Sequence, residues 1–305
     1  MLNILGKRYF FFALSLIIIL PGMILLAING LPLAIDFKGG TLLEIQFSSN
    51  PPTTAQIVGI YSIQGIDDPQ VQTSGENTII IRSSYLSDVA MNTMMTEIEK
   101  EYGVITIIRA DTVGPAISQQ VTSQALLAVA IAALAVVIYI FFAFRKLPNA
   151  LRYGICAIAA MFHDILIVLS LTAFGGLFFG WQVDSLYLTA LLTVIGFSTQ
   201  DKIVVFDRIR ENSGILRKLP YEKLVNHSIV QTLQRSINTQ LMTVEFILLA
   251  VALFGGVTLR EFAVVLLVGL FSGTYSSIFI AAPILVVWEN QEWKNWFKAK
   301  KTSLA

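Results

Sequence analysis

Long apolar runs constrain this sequence more than any other feature. A bilayer core about 30 Å thick takes about 20 apolar residues in a helix. Six stretches approach or exceed that length: 10–28, 125–144, 153–174, 183–206, 236–254 and 262–287. Only 13% of the residues are charged, against about 25% in soluble domains, and mean hydropathy is +0.71. The first run follows Lys7 and Arg8. It exceeds the roughly 7–15 apolar residues of a secretory signal, and Leu31-Pro32-Leu33 comes after it. An uncleaved first span is therefore expected.

Basic residues orient the spans. The N-terminus, the loop 145–152, the stretch 208–235 and the tail with Lys294, Lys298, Lys300 and Lys301 are basic. The connection 175–182 has no Lys or Arg, and the loop after the fifth run has only Arg260. Cytoplasmic loops carry the excess of Lys and Arg, so both termini are expected in the cytoplasm. The segment 208–235 reads as a basic, amphipathic loop.

Residues 31–120 differ in kind. Four basic residues face ten acidic ones there, a net of −6. Thr41–Phe47 alternates, with Leu43, Ile45 and Phe47 on one side, which is a strand pattern. Thr53 after two prolines can cap a helix to Gln64. Short strands at 70–73 and 78–82 flank Ser74-Gly75-Glu76-Asn77, a hairpin signal. A second helix follows Ser87, and 104–113 is a last strand. The order β-α-β-β-α-β is that of a ferredoxin-like domain. The expected organisation is 1–30 as N-terminus and first span, 31–120 as the external domain, 121–290 as the remaining bundle and 291–305 as a basic tail. The fold class is an α-helical polytopic membrane protein with six transmembrane helices and one external ferredoxin-like α+β domain.

Charge inside apolar runs marks the candidate site. An ionisable group at the centre of a span costs about 2.5–3.5 kcal/mol on insertion scales. Asp201 lies in the fourth run, about 25 Å from Asp184 at the rise of a helix. Arg235 lies at similar depth on the fifth, so a pairing with Asp201 is one reading. The other is an arginine that snorkels to the interface. His163 and Asp164 fall mid-way along the third run and Glu245 mid-way along the fifth. Glu245 could share a proton or hydrogen bond with either, or each could be neutral and locally bonded. Lys202 adjoins Asp201 but points about 100° away on a helix, and is expected to snorkel toward the cytoplasmic interface. Gly269 and the run Gly273-Thr274-Tyr275-Ser276-Ser277 read chiefly as close helix packing.

Other chemistry is excluded by what is missing. One cysteine, Cys156, and two histidines make no disulfide framework and no metal cluster. No Gly-x-x-x-x-Gly-Lys loop or nucleophile motif occurs. No enzyme activity, cofactor, metal or nucleic-acid partner is expected.

Several motifs resemble the SecF family of the bacterial SecD–SecF complex, of the resistance–nodulation–division superfamily. They are Asp36-Phe37-Lys38-Gly39-Gly40, Val113-Gly114-Pro115, His163-Asp164 and Gly273-Thr274-Tyr275-Ser276-Ser277. The most specific is Val204-Val205-Phe206-Asp207-Arg208-Ile209-Arg210-Glu211-Asn212. The resemblance implies an auxiliary subunit of the Sec translocase in the bacterial inner membrane. It implies use of the proton-motive force, with an obligate SecD-like subunit, to promote release of unfolded preprotein on the outer face. SecYEG and SecA would be partners, and membrane lipid the surroundings. It also implies that Asp201 is the carboxylate of the proton path and Arg235 its associated arginine. Where the family reads Ser-Ile-Asn-Asp-Thr, this chain has Ser198-Thr199-Gln200-Asp201-Lys202, which leaves proton or sodium open as the coupling ion. A lipid or small-molecule exporter of the same superfamily, and a scaffold without ion coupling, are the alternatives.

Overall fold

The computed structural model describes residues 3–48, 51–66, 69–74, 77–145, 149–240 and 246–295. They form two compact units, one from Met1–Gly30, Ala130–Phe174 and Thr189–Ala305, the other from Leu31–Val129 and Gly175–Leu188.

Helix α1 (Arg8–Asn29) comes first, then a single turn α2 (Ile35–Lys38). The α+β elements follow: β1 (Gly40–Phe47), α3 (Thr54–Ile63), β2 (Gln70–Ser74), β3 (Thr78–Ser83), α4 (Asp88–Tyr102) and β4 (Ile105–Val113). Their ends agree closely with the patterning, because the local chemistry is explicit. Thr53 and Gln56 form a capping box on α3, and Ser87 accepts from Ala90 N–H to cap α4. The sheet runs β2-β3-β1-β4, with every neighbouring pair antiparallel. Leu43, Ile45 and Phe47 share one face of β1, as alternation requires. They bury against Ile79 and Ile81 of β3, Ile57 and Tyr61 of α3, and Met94 and Ile98 of α4.

The motif Asp36-Phe37-Lys38-Gly39-Gly40 has a structural job in this unit. The Asp36 carboxylate accepts from Ser185 N–H at 2.9 Å and from Ser185 Oγ at 2.6 Å. Ser185 opens α7 (Ser185–Ile215), so Asp36 bonds an amide of the helix's first turn, where the backbone N–H groups have no intrahelical acceptor. Gly40 has φ 137°, and a Cβ there would lie 2.5 Å from Ser83 O, which only glycine avoids. Gly114 precedes Pro115, the first residue of α5 (Pro115–Phe144). Proline suits that position, since its missing N–H has no helical partner to lose.

Beyond β4 the chain is helical: α5, α6 (Ala150–Phe179), α7, α8 (Tyr221–Gln240), α9 (Phe246–Phe254), α10 (Val257–Ser276), a π segment (Ser277–Ala281) and α11 (Ala282–Glu289). Among the described residues, five helical stretches are long and apolar enough to cross a membrane: Leu5–Asn29, Pro115–Phe144, Ala150–Phe179, Ser185–Ile215 and Leu259–Glu289. The expected fifth run, 236–254, contains the end of α8 and all of α9, while 241–245 lies outside the described residues.

The stretch 208–235, expected as a loop, is mostly helix. Arg208 pairs with Glu211 and Arg210 with Asp207, each at 2.7 Å and three residues apart. Such pairs support helix on an exposed face, and α7 continues to Ile215. Pro220 precedes α8, whose Leu224, Val225 and Ile229 are buried against Phe206 and Ile209 of α7. Small residues on α6, Cys156, Ala157 and Ala160, join the same core with Ala281, Ala282 and Leu285.

Candidate functional site

Two carboxylates inside the helical unit meet quite different partners. Asp164 of α6 is 1% exposed. Its Oδ2 accepts from Ser198 Oγ at 2.6 Å, Lys202 Nζ at 2.7 Å and Ser276 Oγ at 2.7 Å. Its Oδ1 accepts from Ser272 Oγ at 2.7 Å and His163 Nδ1 at 3.1 Å. Lys202 is fully buried and also donates to Ser198 O at 3.2 Å and to Ser198 Oγ. The expected snorkelling lysine is thus corrected: it turns inward to a carboxylate three helices share. A buried charge is tolerated when it is paired and fully hydrogen-bonded, and both members of this pair are.

His163 extends the network. Its Nε2 lies 2.8 Å from Ser15 Oγ of α1, and Tyr275 stacks near the ring while its hydroxyl donates to Phe11 O at 3.0 Å. The expectation that Glu245 joins His163 or Asp164 concerns a residue outside the described ones. Among the described residues, the partners of Asp164 come from α6, α7 and α10.

Asp201 of α7 is also buried, at 7% exposed. It accepts from Ser236 Oγ of α8 at 2.8 Å and from Ser277 Oγ at 2.6 Å, where the π segment begins. Both donors are neutral. Arg235 is exposed and makes no ion pair with Asp201; the two line a common cavity of about 70 Å3 with Gln200 and Thr239. That volume admits a couple of waters, each taking about 30 Å3. So the arginine is near the carboxylate but not on it.

Close helix contact makes this geometry. A Cβ on Gly273 would lie 3.2 Å from Ser198 Cα, and one on Gly269 would lie 2.3 Å from Val194 Cγ2. Those glycines let α10 press against α7. Ser272 and Ser276, one turn apart, then both reach Asp164, while Ser198 and Lys202, also one turn apart, reach it from α7. The serines of 273–277 therefore bond the two carboxylates rather than only packing. The signal was available: hydroxyls at i and i+4 beside a small residue on an apolar helix seek a polar partner on a neighbour. Of the other motif residues, Asp207, Arg208 and Arg210 form the exposed pairs of α7, and Asn212 Nδ2 donates to Ser228 Oγ at 2.8 Å.

Comparison with known proteins fixes the family. Residues 93–291 match the C-terminal region of the protein export membrane proteins SecD and SecF, and residues 24–51 match the SecD/SecF GG motif. The chain belongs to the SecD/SecF family. It is 64% identical over 300 residues to the protein translocase subunit SecF of Anaerolinea thermophila, covering 98% of this chain and 97% of that one. It is 33% identical over 312 residues to the protein translocase subunit SecDF of Thermus thermophilus, covering 99% of this chain and 40% of that one. The crystal structure of SecDF from Thermus thermophilus, titled a translocon-associated membrane protein, matches with a TM-score of 0.84 at 32% identity. The match covers 95% of this chain and 39% of that chain, so this chain spans about two fifths of the SecDF length. Family membership brings a role in Sec protein export and a multi-pass membrane location.

Proposed function

We propose that this chain is the SecF-type part of a SecD–SecF assembly that uses the proton-motive force to promote preprotein release on the outer face of the membrane. Asp201 carries the reading. It is a buried carboxylate beside a cavity that admits water, bonded among the described residues to two serine hydroxyls and to no cation. Such a group can gain a proton without breaking an ion pair, and can bond the same serines in either state, since a hydroxyl both donates and accepts. Arg235 at the cavity wall stabilises the ionised form when it swings in. Asp164 is different, because proton uptake there would strand Lys202.

The relatives named SecDF carry both parts in one chain, which supports a SecD-type subunit as the obligate partner here. The basic segments support cytoplasmic termini and an external 31–120 domain. The strand order supports a ferredoxin-like fold for that domain, and the apolar run 236–254 supports a sixth span. SecYEG, SecA and the unfolded preprotein complete the machinery, and this subunit contributes no enzymatic step. One charge moved through the membrane potential supplies about 2.3 kcal/mol per 100 mV, so a few protons suffice to drive a domain movement.

The test is export of a preprotein into vesicles with wild type or Asp201→Asn, with and without a proton gradient. Loss of the gradient-dependent part, with partner assembly intact, supports coupling. Unchanged gradient-dependent export in the variant removes Asp201 as the coupling carboxylate, and export that ignores the gradient in both forms leaves a scaffold.

A further inference from the structure

Lys202 fills a place whose ligands are those of a metal cation. Around its ammonium lie a carboxylate oxygen of Asp164 at 2.7 Å, the carbonyl oxygen of Ser198 at 3.2 Å and the hydroxyl of Ser198. Ser276 Oγ and Ser198 Oγ converge on the same Asp164 Oδ2 that the ammonium holds. Hard cations take carboxylate, carbonyl and hydroxyl oxygens. The cage holds one carboxylate, so charge neutrality in a dry site admits a single positive charge. A divalent ion would leave a net charge buried, which is costly. An oxygen set with one negative charge suits a hard monovalent ion, of which sodium is the physiological case.

We propose that the Lys202 ammonium is a tethered substitute for sodium in the Asp164 cage, and that position 202 decides whether this site takes a cation from solution. The lysine carries its own covalent anchor, so it needs no sodium outside and cannot leave. It closes the site to metal ions and leaves Asp201 as the ion-responsive carboxylate. Replacing the lysine by a small hydroxyl residue vacates the ammonium's position while keeping Asp164, Ser198, Ser272 and Ser276 in place. The cage then takes sodium to balance the orphaned carboxylate. Methionine at 202 fills the same space with an apolar chain and blocks the ion.

Thermal melting of the full-length chain, purified with its partner subunit, tests this in sodium, potassium and choline chloride at equal ionic strength. Wild type melts at one temperature in all three. Lys202→Thr melts higher in sodium than in choline, by a margin that rises with the logarithm of sodium concentration and is on the order of 3 °C at ten times its Kd. Lys202→Met shows no difference, and neither does Asp164→Asn with Lys202→Thr. The proposal is overturned if folded Lys202→Thr ignores sodium. It is equally overturned if Lys202→Thr is lost in every salt while the double variant folds, because sodium has then failed to replace the lysine. Its export arm rests on the reading above: wild-type export at a fixed proton gradient is unchanged when choline replaces sodium, and a sodium requirement overturns it. The melting arm needs no export, so failure of the export reading leaves it intact.

Discussion

Ser276 and Ser277 are neighbours in the chain, yet they serve different carboxylates. Ser276 Oγ donates to Asp164 Oδ2 at 2.7 Å and Ser277 Oγ to Asp201 Oδ2 at 2.6 Å. The division falls where α10 passes into the π segment Ser277–Ala281, a kind of irregularity frequent at functional sites. The same arrangement holds on α7, where Asp201 and Lys202 point to different helices. One turn of the last long stretch therefore touches both the ion-paired carboxylate and the one whose described partners are serine hydroxyls. Under the proposed coupling, a change in the protonation of Asp201 acts directly on the turn that also holds Asp164.

The serine pair gives the first prediction. Among the described residues, Ser277→Ala removes one of the two hydroxyl donors on Asp201, and Ser276→Ala removes one of five donors on Asp164, three of them hydroxyls. Each loss costs about 1 kcal/mol of stability, the usual net value of such a bond. Their export phenotypes separate. Ser277→Ala lowers the gradient-dependent part of export, and Ser276→Ala leaves that part in place. Export into vesicles with and without a proton gradient reads the difference.

The Asp164–Lys202 pair should behave as a unit. Removing one member of a buried pair leaves an uncompensated charge and costs about 3–5 kcal/mol. Lys202→Met and Asp164→Asn are each expected to melt far below wild type. The double variant, with neither charge of the pair left, recovers most of the loss. Melting of the three purified variants checks this, and additive losses in the double variant would show that the two groups are independent.

Much of this was legible in the chain, and the exceptions share one cause. The α+β elements could be read because alternation in 41–47 and capping by Thr53 and Ser87 are local signals. The apolar runs could be read because they are one-dimensional. The destination of Lys202 could not. Whether a lysine near a span end turns outward or inward depends on which side chain waits on another helix, and Asp164 lies 38 residues away. The helix in 208–235 was obscured because its charge suggests a solvated loop, whereas the buried stripe of Leu224, Val225 and Ile229 shows only when α7 packs on it. Arg235 and Asp201 line one cavity, but a depth along the axis does not specify rotation about it, and the exposed arginine makes no ion pair with the carboxylate.

At the end of the chain, acidity should loosen one cluster. Glu292 accepts from Arg8 Nη2 at 2.7 Å, Tyr9 Oη at 2.7 Å and Asn290 Nδ2 at 3.2 Å. Burial pushes its carboxyl up, but the bonds from Tyr9, Asn290 and Arg8 outweigh that and hold it below the ordinary glutamate value of 4.5. A carboxylate depressed in the folded state stabilises above its unfolded value, and that contribution fades as pH falls through the lower folded value. Wild type should therefore melt above Glu292→Gln by a constant margin near neutral pH. The margin narrows only once pH drops below about 4.5. A margin that already changes between pH 6 and 8 would point to another group.

Close packing predicts a contrast between two glycines. Gly273→Ala puts a methyl 3.2 Å from Ser198 Cα, whereas Gly196 has nothing within 4 Å of a built Cβ and is exposed. Gly273→Ala should cost about 1–3 kcal/mol, the range for overpacking, and should lower export by parting α10 from α7. Gly196→Ala should be neutral or slightly stabilising, since alanine favours helix over glycine by about 1 kcal/mol. Comparative melting and export of the two variants checks both halves.

Arg235 separates a coupling residue from a topology anchor. Because it forms no ion pair with Asp201, its removal strands no buried charge. Arg235→Ala should change stability by no more than about 0.5 kcal/mol, as for surface positions generally. If it stabilises the ionised form of Asp201 during the cycle, the variant loses gradient-dependent export while keeping its melting temperature and membrane orientation. Arg235→Lys preserves a cation beside the cavity but not the planar fork that suits a carboxylate, so it should recover only part of that export. An anchor predicts the opposite pattern. Lysine would then serve as well as arginine, and alanine would disturb orientation before it disturbed coupling. Measuring export, protease accessibility of the loops and melting on the same two variants decides between them.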